Sequence, residues 1–348
     1  MTQRAACLDR GGDGRFYLLP LAFVLALLAG AGNAFASNIL DEVKARGILL
    51  CGINQQMPYL AGRGADGLWR GLEVDICRIV AAAVLENADA VEFKAMPPSE
   101  RFDALLAGDV DLVGLERTRR APLRGVRSAG LAFVDGQGLM VAKDSGIFNA
   151  LGLDGARVCI LDGNRAKTDL ERFAAGQGIV LTVIAVPSDA ELVSAFSENA
   201  CDAVSADRLT LAALATHVPR QVDILPDMLS RSQWSPFVRE DDRGWLEVVR
   251  WSLFATIEAE ELGLTAATLA AQRRTSKDPM VLRFLGVEGD LGDQLGLDRA
   301  WAYRIVDQVG SYSEIYERHF GVDAPMPLPR GPNELWSNGG VLQAPAFQ

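Results

Sequence analysis

Histidine is nearly missing from this chain. His217 and His319 are the only two in 348 residues. That leaves too little imidazole for a His-based metal site or a histidine-driven nucleophilic triad. Cysteine is sparse as well, at five residues, and no two are spaced as CxxC, which argues against zinc. Positive charge is in deficit: 34 Lys and Arg face 45 Asp and Glu, giving a formal net charge of −11. A nucleic-acid partner normally demands a basic face, so that class is excluded. Long apolar runs are confined to the N-terminus. No GxSxG, HExxH, phosphate-binding loop or dinucleotide fingerprint stands in the context it would need.

What is present begins with an export signature. Arg4, Arg10 and Arg15 precede "FYLLPLAFVLALLAGAG", and Ala34-Phe35-Ala36 follows. A basic start, an apolar stretch and small residues at the cut read as a secretory signal cleaved after Ala36. The alternative is a membrane anchor, but Pro20 interrupts the run and it is short for a span. Cys7 precedes the apolar stretch, badly placed for lipid attachment. The leader carries three Arg and two Asp, +1 in sum, so the mature chain from Ser37 stands at −11 − 1 = −12. The exported part keeps Cys51, Cys77, Cys159 and Cys201. An even number in an oxidising compartment suggests disulfides. Three pairings are possible; Cys51–Cys77 and Cys159–Cys201 keep each loop local and are favoured, with four buried thiols as the alternative.

The rest alternates short apolar strands with amphipathic helices, long enough in total for two compact units. "ILLCGIN" (48–54) reads as a buried strand, and "EVDICRIVAAAVLENA" (73–88) as a helix with Val74, Cys77, Val80, Ala81 and Val84 on one face. "AVEFKAM" is a strand. "SERFDALLAGDVDLVGL" gives a helix N-capped by Ser99, with Phe102, Leu105 and Leu106 apolar, stopped at Gly108 and followed by a strand. After Lys143 the pattern restarts: strand 157–161, helix, strand, a helix over 188–196 opened by a Ser188–Glu191 capping box, and the strand "CDAVSAD" (201–207) running into a helix. This β-α-β repetition implies mainly parallel sheets with helices on their faces, in two similar lobes. After Pro236 the character turns helical: residues 244–264 form a long helix with Trp245, Val248, Val249, Leu253 and Ile257 inward, helices continue to about Phe320, and the proline-rich end should wrap a surface.

The blocks "CGINQQMPYL", "GLWRGLEVDICRIVAAAV", "SERFDALLAGDVDL", "FVDGQGLMVAKD", "CDAVSAD", "WSPFVREDDRGWLEVVRWSLFATIEAEELG", "EGDLGDQLGLDRAWAYRIV" and "RGPNELWSNGG" together resemble the periplasmic general L-amino-acid-binding proteins of ABC transporters, type II solute-binding proteins of family 3. The resemblance covers residues 38–345. It implies an α/β fold of two Rossmann-like lobes with a hinge, the type II periplasmic-binding fold, and a helical C-terminal extension. Residues 1–36 would be the signal peptide, 37–141 plus 237–348 lobe 1, and 142–236 lobe 2. It further implies a monomeric periplasmic carrier with no cofactor, a small amino-acid or carboxylate ligand in the interlobe cleft, and an ABC-transporter permease in the inner membrane as partner.

Residue by residue, the resemblance places the carboxylate-gripping arginine at Arg120 and the ammonium-gripping aspartate at Asp207; the alternatives are a solvated arginine and a helix N-cap. Tyr59 or Trp69 would pack on the ligand side chain, or serve the core. Two departures stand out. The family's threonine- and asparagine-rich stretch before the arginine is shortened here to "GLERTRR", leaving Thr118 among Arg117, Arg119 and Arg120. The family's glycine and threonines at a lobe 2 helix start become Gly163, Asn164 and Arg165. Guanidiniums have replaced neutral donors, which suits a ligand with extra negative charge such as a dicarboxylate or phosphorylated compound; drift of a decayed pocket is the alternative. Because this fold also hosts dehydratases, Glu116 is a candidate general acid under a second, enzymatic reading, against an ion pair with an arginine. A ligand sensor working through a membrane partner is a third.

Overall fold

The computed structural model describes residues 38–54, 57, 59–118, 124–163 and 165–347, and residues from Asn38 on form one compact unit. Helix α1 (Ile39–Arg46) is N-capped by the Asn38 side chain. Strand β1 (Leu49–Ile53), the small hairpin β2 (Gly62–Arg63) and β3 (Trp69–Arg70), helix α2 (Leu72–Leu85), β4 (Val91–Ala95), α3 (Arg101–Ala107) and β5 (Leu112–Arg117) follow. β1 lies parallel between β4 and β5. Ser99 does not cap α3 as expected. A turn closed by the Glu100 amide on the Pro97 carbonyl absorbs it, and Glu100 takes the N-cap position. Leu106 faces solvent, while Arg101 and Leu105 are the buried residues of that helix.

The chain then adds β6 (Val126–Ser128) and β7 (Phe133–Asp135) to the first sheet and passes through Gly136 into β8 (Gln137–Ala142), which belongs to the second. The second sheet is completed by β9 (Arg157–Leu161), α4 (Ala166–Gln177), β10 (Thr182–Val186), α5 (Asp189–Ser197), β11 (Ala203–Asp207), α6 (Arg208–Ala215) and β12 (Val222–Ile224). Its strand order is β10-β9-β11-β8-β12, parallel on one side and antiparallel around β8. Strand β13 (Ser232–Arg239) returns to the first sheet, antiparallel to β5, whose order becomes β4-β1-β5-β13-β6 with β7 also on β13. The chain thus passes from the first sheet to the second at Gly136 and returns just before Ser232; the expected lobe boundaries, 141/142 and 236/237, fall within β8 and β13. Local composition does not mark where pairing switches, because the switch is set by distant partners: β8 lies on β11 and β13 on β5.

Period-2 alternation explains the second sheet's two cores. Leu139 and Val141 face one cluster with Val158 and Ile160, while Met140 faces the other with Cys159, Leu192, Phe196 and Val204. Both disulfides form as favoured. Cys51 on β1 joins Cys77 on α2 with Cα atoms 6.2 Å apart, and Cys159 on β9 joins Cys201 at 5.7 Å. The Ser188 hydroxyl accepts the Glu191 amide at the start of α5, the half of the expected capping box that opens the helix.

The helical extension runs through α7 (Arg243–Glu261), α8 (Leu269–Thr275), α9 (Pro279–Phe284), α10 (Leu291–Leu295), α11 (Trp301–Gln308) and α12 (Tyr312–Phe320). The five residues expected to point inward from α7 are all buried. The tail does more than wrap a surface. Met326, Leu328, Leu335, Leu342 and Phe347 are buried in the first lobe's core, with Phe347 against Trp251, Phe284 and Trp301. Buried Asn333 accepts the Val134 amide at 2.7 Å and donates to the Val134 carbonyl at 2.9 Å, pinning the tail to β7 beside the crossing. Among the described residues no helix is long and apolar enough to cross a membrane.

Candidate functional site

The first lobe brings an arginine to its edge by strand register. Arg117 closes β5 and pairs with Trp234 of β13, so the indole lies beneath the guanidinium, 5.0 Å from carbon to ring centre. Its own amide is held by Glu116 Oε1 at 2.9 Å. Glu116 also meets Arg101 Nη1 at 3.3 Å. Arg101 has no exposed surface; it donates to the carbonyls of Leu115 at 2.6 Å and Gly52 at 3.0 Å and pairs with Glu73. Glu73 in turn accepts the amides of Asn54 at 2.9 Å and Leu115 at 2.8 Å. A buried ionic network thus ties the C-terminal ends of β1 and β5 together, the ends that carry Tyr59 and Arg117.

The second lobe answers with Asp207 at the end of β11. Asp207 occupies the N-cap position of α6 yet makes no capping hydrogen bond. Its Oδ2 accepts from Arg117 Nη2 across the gap between the sheets. The Arg117 and Asp207 side chains are 42% and 31% exposed, so water screens the pair and it stabilises by at most about 1 kcal/mol. A ligand can therefore replace it at little cost.

The amide left open at the start of α6 is served from the crossing strand. Asp135 Oδ1 accepts the Leu209 amide at 3.4 Å, and the Arg208 amide donates to the Gly136 carbonyl at 2.9 Å. Asp135 is 1% exposed. Burial, then the neighbouring Asp207 charge, pushes its carboxyl up to about 7, against the pull of Arg117 and the amides of Gly136 and Leu209. Its Oδ2 has no hydrogen-bond partner among the described residues.

A cavity of about 380 Å³ opens at this meeting, lined by both lobes: Arg117 and Ser232 from the first, Gln137, Arg165, Asp169, Asp189, Asp207 and Thr210 from the second, and Ser230 and Arg231 between them. Gln137 is fixed by donating to Ala166 O at 2.7 Å and Ser205 Oγ at 2.8 Å. Arg172 takes Asp169 at 2.7 Å, with Arg165 farther off at 3.8 Å, so most of Arg165 faces solvent at the cavity. Three guanidiniums, Arg117, Arg165 and Arg231, thus border one space. A larger groove of about 780 Å³ runs along α2 on the first lobe, but its charges are matched internally: Asp75 takes Arg318 at 2.6 Å, His319 at 2.7 Å and Arg78 at 3.4 Å.

Over nearly its whole length the chain is similar to known transport proteins. It is 36% identical to the glutamate/glutamine/aspartate/asparagine-binding protein BztA of Rhodobacter capsulatus, over 93% of this chain and 96% of that one. It is 33% identical to the general L-amino acid-binding periplasmic protein AapJ of Rhizobium johnstonii, over 94% and 98%. The chain belongs to the family of amino-acid-binding proteins of ABC transporters. Its fold is that of the type II periplasmic-binding proteins. A solved member, an ABC transporter periplasmic binding protein from Brucella ovis with glutathione bound, superposes with a TM-score of 0.72 at 32% identity, covering 90% of this chain and all of that one. No family model matches the chain.

Within this family member, the expected site residues fare unevenly. Arg117, Arg165 and Asp207 are brought together. Arg120, Arg119 and Asn164 lie outside the described residues. The Tyr59 side chain hydrogen-bonds Thr210 of α6, and burial raises its pKa; it stands at the lobe junction on the groove side. Trp69 stays on its hairpin, where Arg63 covers its ring at 5.3 Å. The Thr118 hydroxyl pairs with Ser235 Oγ at 3.1 Å, inside the first lobe. Gly163 adopts a positive φ of 76° in the turn before α4. Glu116 is an ion-pair partner of Arg101, the plain alternative to a general acid. Trp234, Asp135, Gln137 and Arg231 went unnoticed in the sequence because their roles arise from register and lobe closure, which no local motif records.

Proposed function

We propose that this protein is the solute-binding component of an ABC importer, exported by its N-terminal leader, cut after Ala36, and working in the periplasm. It captures an amino acid or a related small carboxylate between its lobes and presents the loaded form to a membrane permease. One observation carries this reading: a guanidinium from one lobe and a carboxylate from the other meet in a cavity that both lobes line. A zwitterion removed from water needs both of its charges matched. Its carboxylate takes Arg117 as a two-pronged donor, and its ammonium takes Asp207. The two ends of a weak, half-exposed pair are exchanged for stronger contacts, which holds the lobes closed on the ligand. Glu116, the candidate general acid, is committed to Arg101, which favours binding over turnover as the activity.

The ligand class follows from charge. Arg165 and Arg231 stand beside the grips, so a second anionic group on the ligand finds partners that a neutral side chain would leave idle. Acidic amino acids and glutathione, which carries two carboxylates, fit this pattern, and relatives are named for or solved with such ligands. The presence of a matched pair across the cleft supports a working pocket over a decayed one. A thermal-shift screen with L-glutamate, L-glutamine, L-leucine and glutathione tests the reading. A ligand at a hundredfold excess over its Kd adds about 2.7 kcal/mol of stability. Acidic ligands should give the largest shifts; a shift with L-leucine alone would overturn the assignment of class.

A further inference from the structure

We infer that Asp135 is a positioning residue that caps helix α6 from the crossing strand and thereby frees Asp207 for the cleft; this rests on the reading of Asp207 as a ligand grip. An aspartate at an N-cap position ordinarily turns back on its own helix, because the first amides have no other acceptor. Asp207 holds that position and does not do so. Its carboxylate points instead to Arg117 in the other lobe. The orphaned amide has not gone unserved. Leu209, the second residue of α6, donates to Asp135 Oδ1. The amide before it, Arg208, donates to the Gly136 carbonyl. Two consecutive amides at the start of α6 are thus met by two consecutive residues of the crossing segment.

Asp135 suits this role because of where it sits. It is the last residue of β7, directly before the exchange into the second sheet, so its position is set by pairing with Ser232 of β13. The other return strand therefore fixes the substitute cap. The same side chain already occupies the Leu209 amide, so Asp207 finds no open amide there to turn back to. Arg208, Tyr59 and Arg117 are the other charged or titratable groups within electrostatic reach of Asp135. Arg208 is buried and donates to the Pro329 carbonyl at 3.0 Å, not to Asp135. One oxygen of Asp135 is left without a partner, and a buried acceptor is tolerated unpaired only where something else is gained. Here the gain is a free Asp207.

Three variants test this by calorimetry with L-glutamate and glutathione and by crystallography: Asp135→Ala, Asp135→Asn and Asp207→Asn. In Asp135→Ala, Asp207 has an open amide to satisfy and must abandon it to reach a ligand. Affinity should fall about five- to tenfold, the worth of one N-cap. Asp135→Asn keeps an acceptor for Leu209 and should restore affinity to within about twofold. The crystal structure of ligand-free Asp135→Ala should show Asp207 turned onto the amides of its own helix. If Asp135→Ala binds as the wild type does, or if Asp135→Asn fails as badly as Asp135→Ala, the capping role is overturned. Asp207 still resting on Arg117 in the Asp135→Ala crystal would overturn it equally. Undiminished binding by Asp207→Asn, by contrast, would overturn the reading of Asp207 as a grip.

Discussion

Asp135→Asn should flatten the pH dependence of stability. In the folded protein the Asp135 carboxyl titrates near 7, against about 4 in an unfolded chain. Between these values the folded state holds a proton that the unfolded state has released. Stability from this group is therefore fully present below about pH 4, is lost as pH rises to about 7, and is level above. From pH 5 to pH 8 the active part of that window spans about two pH units, at about 1.4 kcal/mol each. The wild type should thus lose roughly 3 kcal/mol over this range that the asparagine variant keeps. Glu258, which burial and then Glu261 also push up to about 7, contributes to both proteins and cancels in the difference. Urea unfolding at pH 5, 6, 7 and 8 reads the effect directly. Parallel profiles for the two proteins would show that Asp135 is ionised in the fold at neutral pH, and would refute the account of its burial.

Other outcomes follow from the packing and the cleft. Converting both Cys159 and Cys201 to alanine opens a loop with a sequence separation of 42, so chemical unfolding should register a loss of about 4 kcal/mol. Phe347→Ala removes a buried ring from a cluster of Trp251, Phe284 and Trp301 and should cost about 3–5 kcal/mol, measured by the same unfolding assay; no loss would return the tail to a loose surface wrapping. Arg117→Lys keeps the charge but loses the fork and the flat face that rests on Trp234. Calorimetry should then show affinity for L-glutamate reduced about tenfold or more, with the melting point of the unliganded protein nearly unchanged.

Much of the fold could be read from apolar periodicity and local signals. The strand 157–161, the long α7 with its inward face and the Gly108 helix stop are all where the pattern put them, since each depends on residues close in sequence. Loop locality sufficed for the cysteine pairs. Which sheet owns β8 and β13 is not legible in the sequence, because only the pairing partners decide it. Ser99 was misread because a cap signal competes with a turn begun at Pro97. At the site, Asp207 was legible through the family resemblance of the "CDAVSAD" block, and it ends β11. Trp234 beneath Arg117 was not, because it depends on a cross-strand register set more than a hundred residues away. Asp135 was hidden for the same reason: a residue that caps a helix seventy positions later leaves no local trace.

Titration calorimetry on the wild type, Arg117→Ala and Asp207→Ala, with L-glutamate and glutathione as ligands, bears most directly on the cleft as a grip for opposite charges. The wild type should bind at least one of them saturably, and each variant should lose thirtyfold or more, about the penalty for removing one partner of a desolvated charge contact. Wild-type affinity retained in either variant, with the fold intact by circular dichroism, would contradict the account.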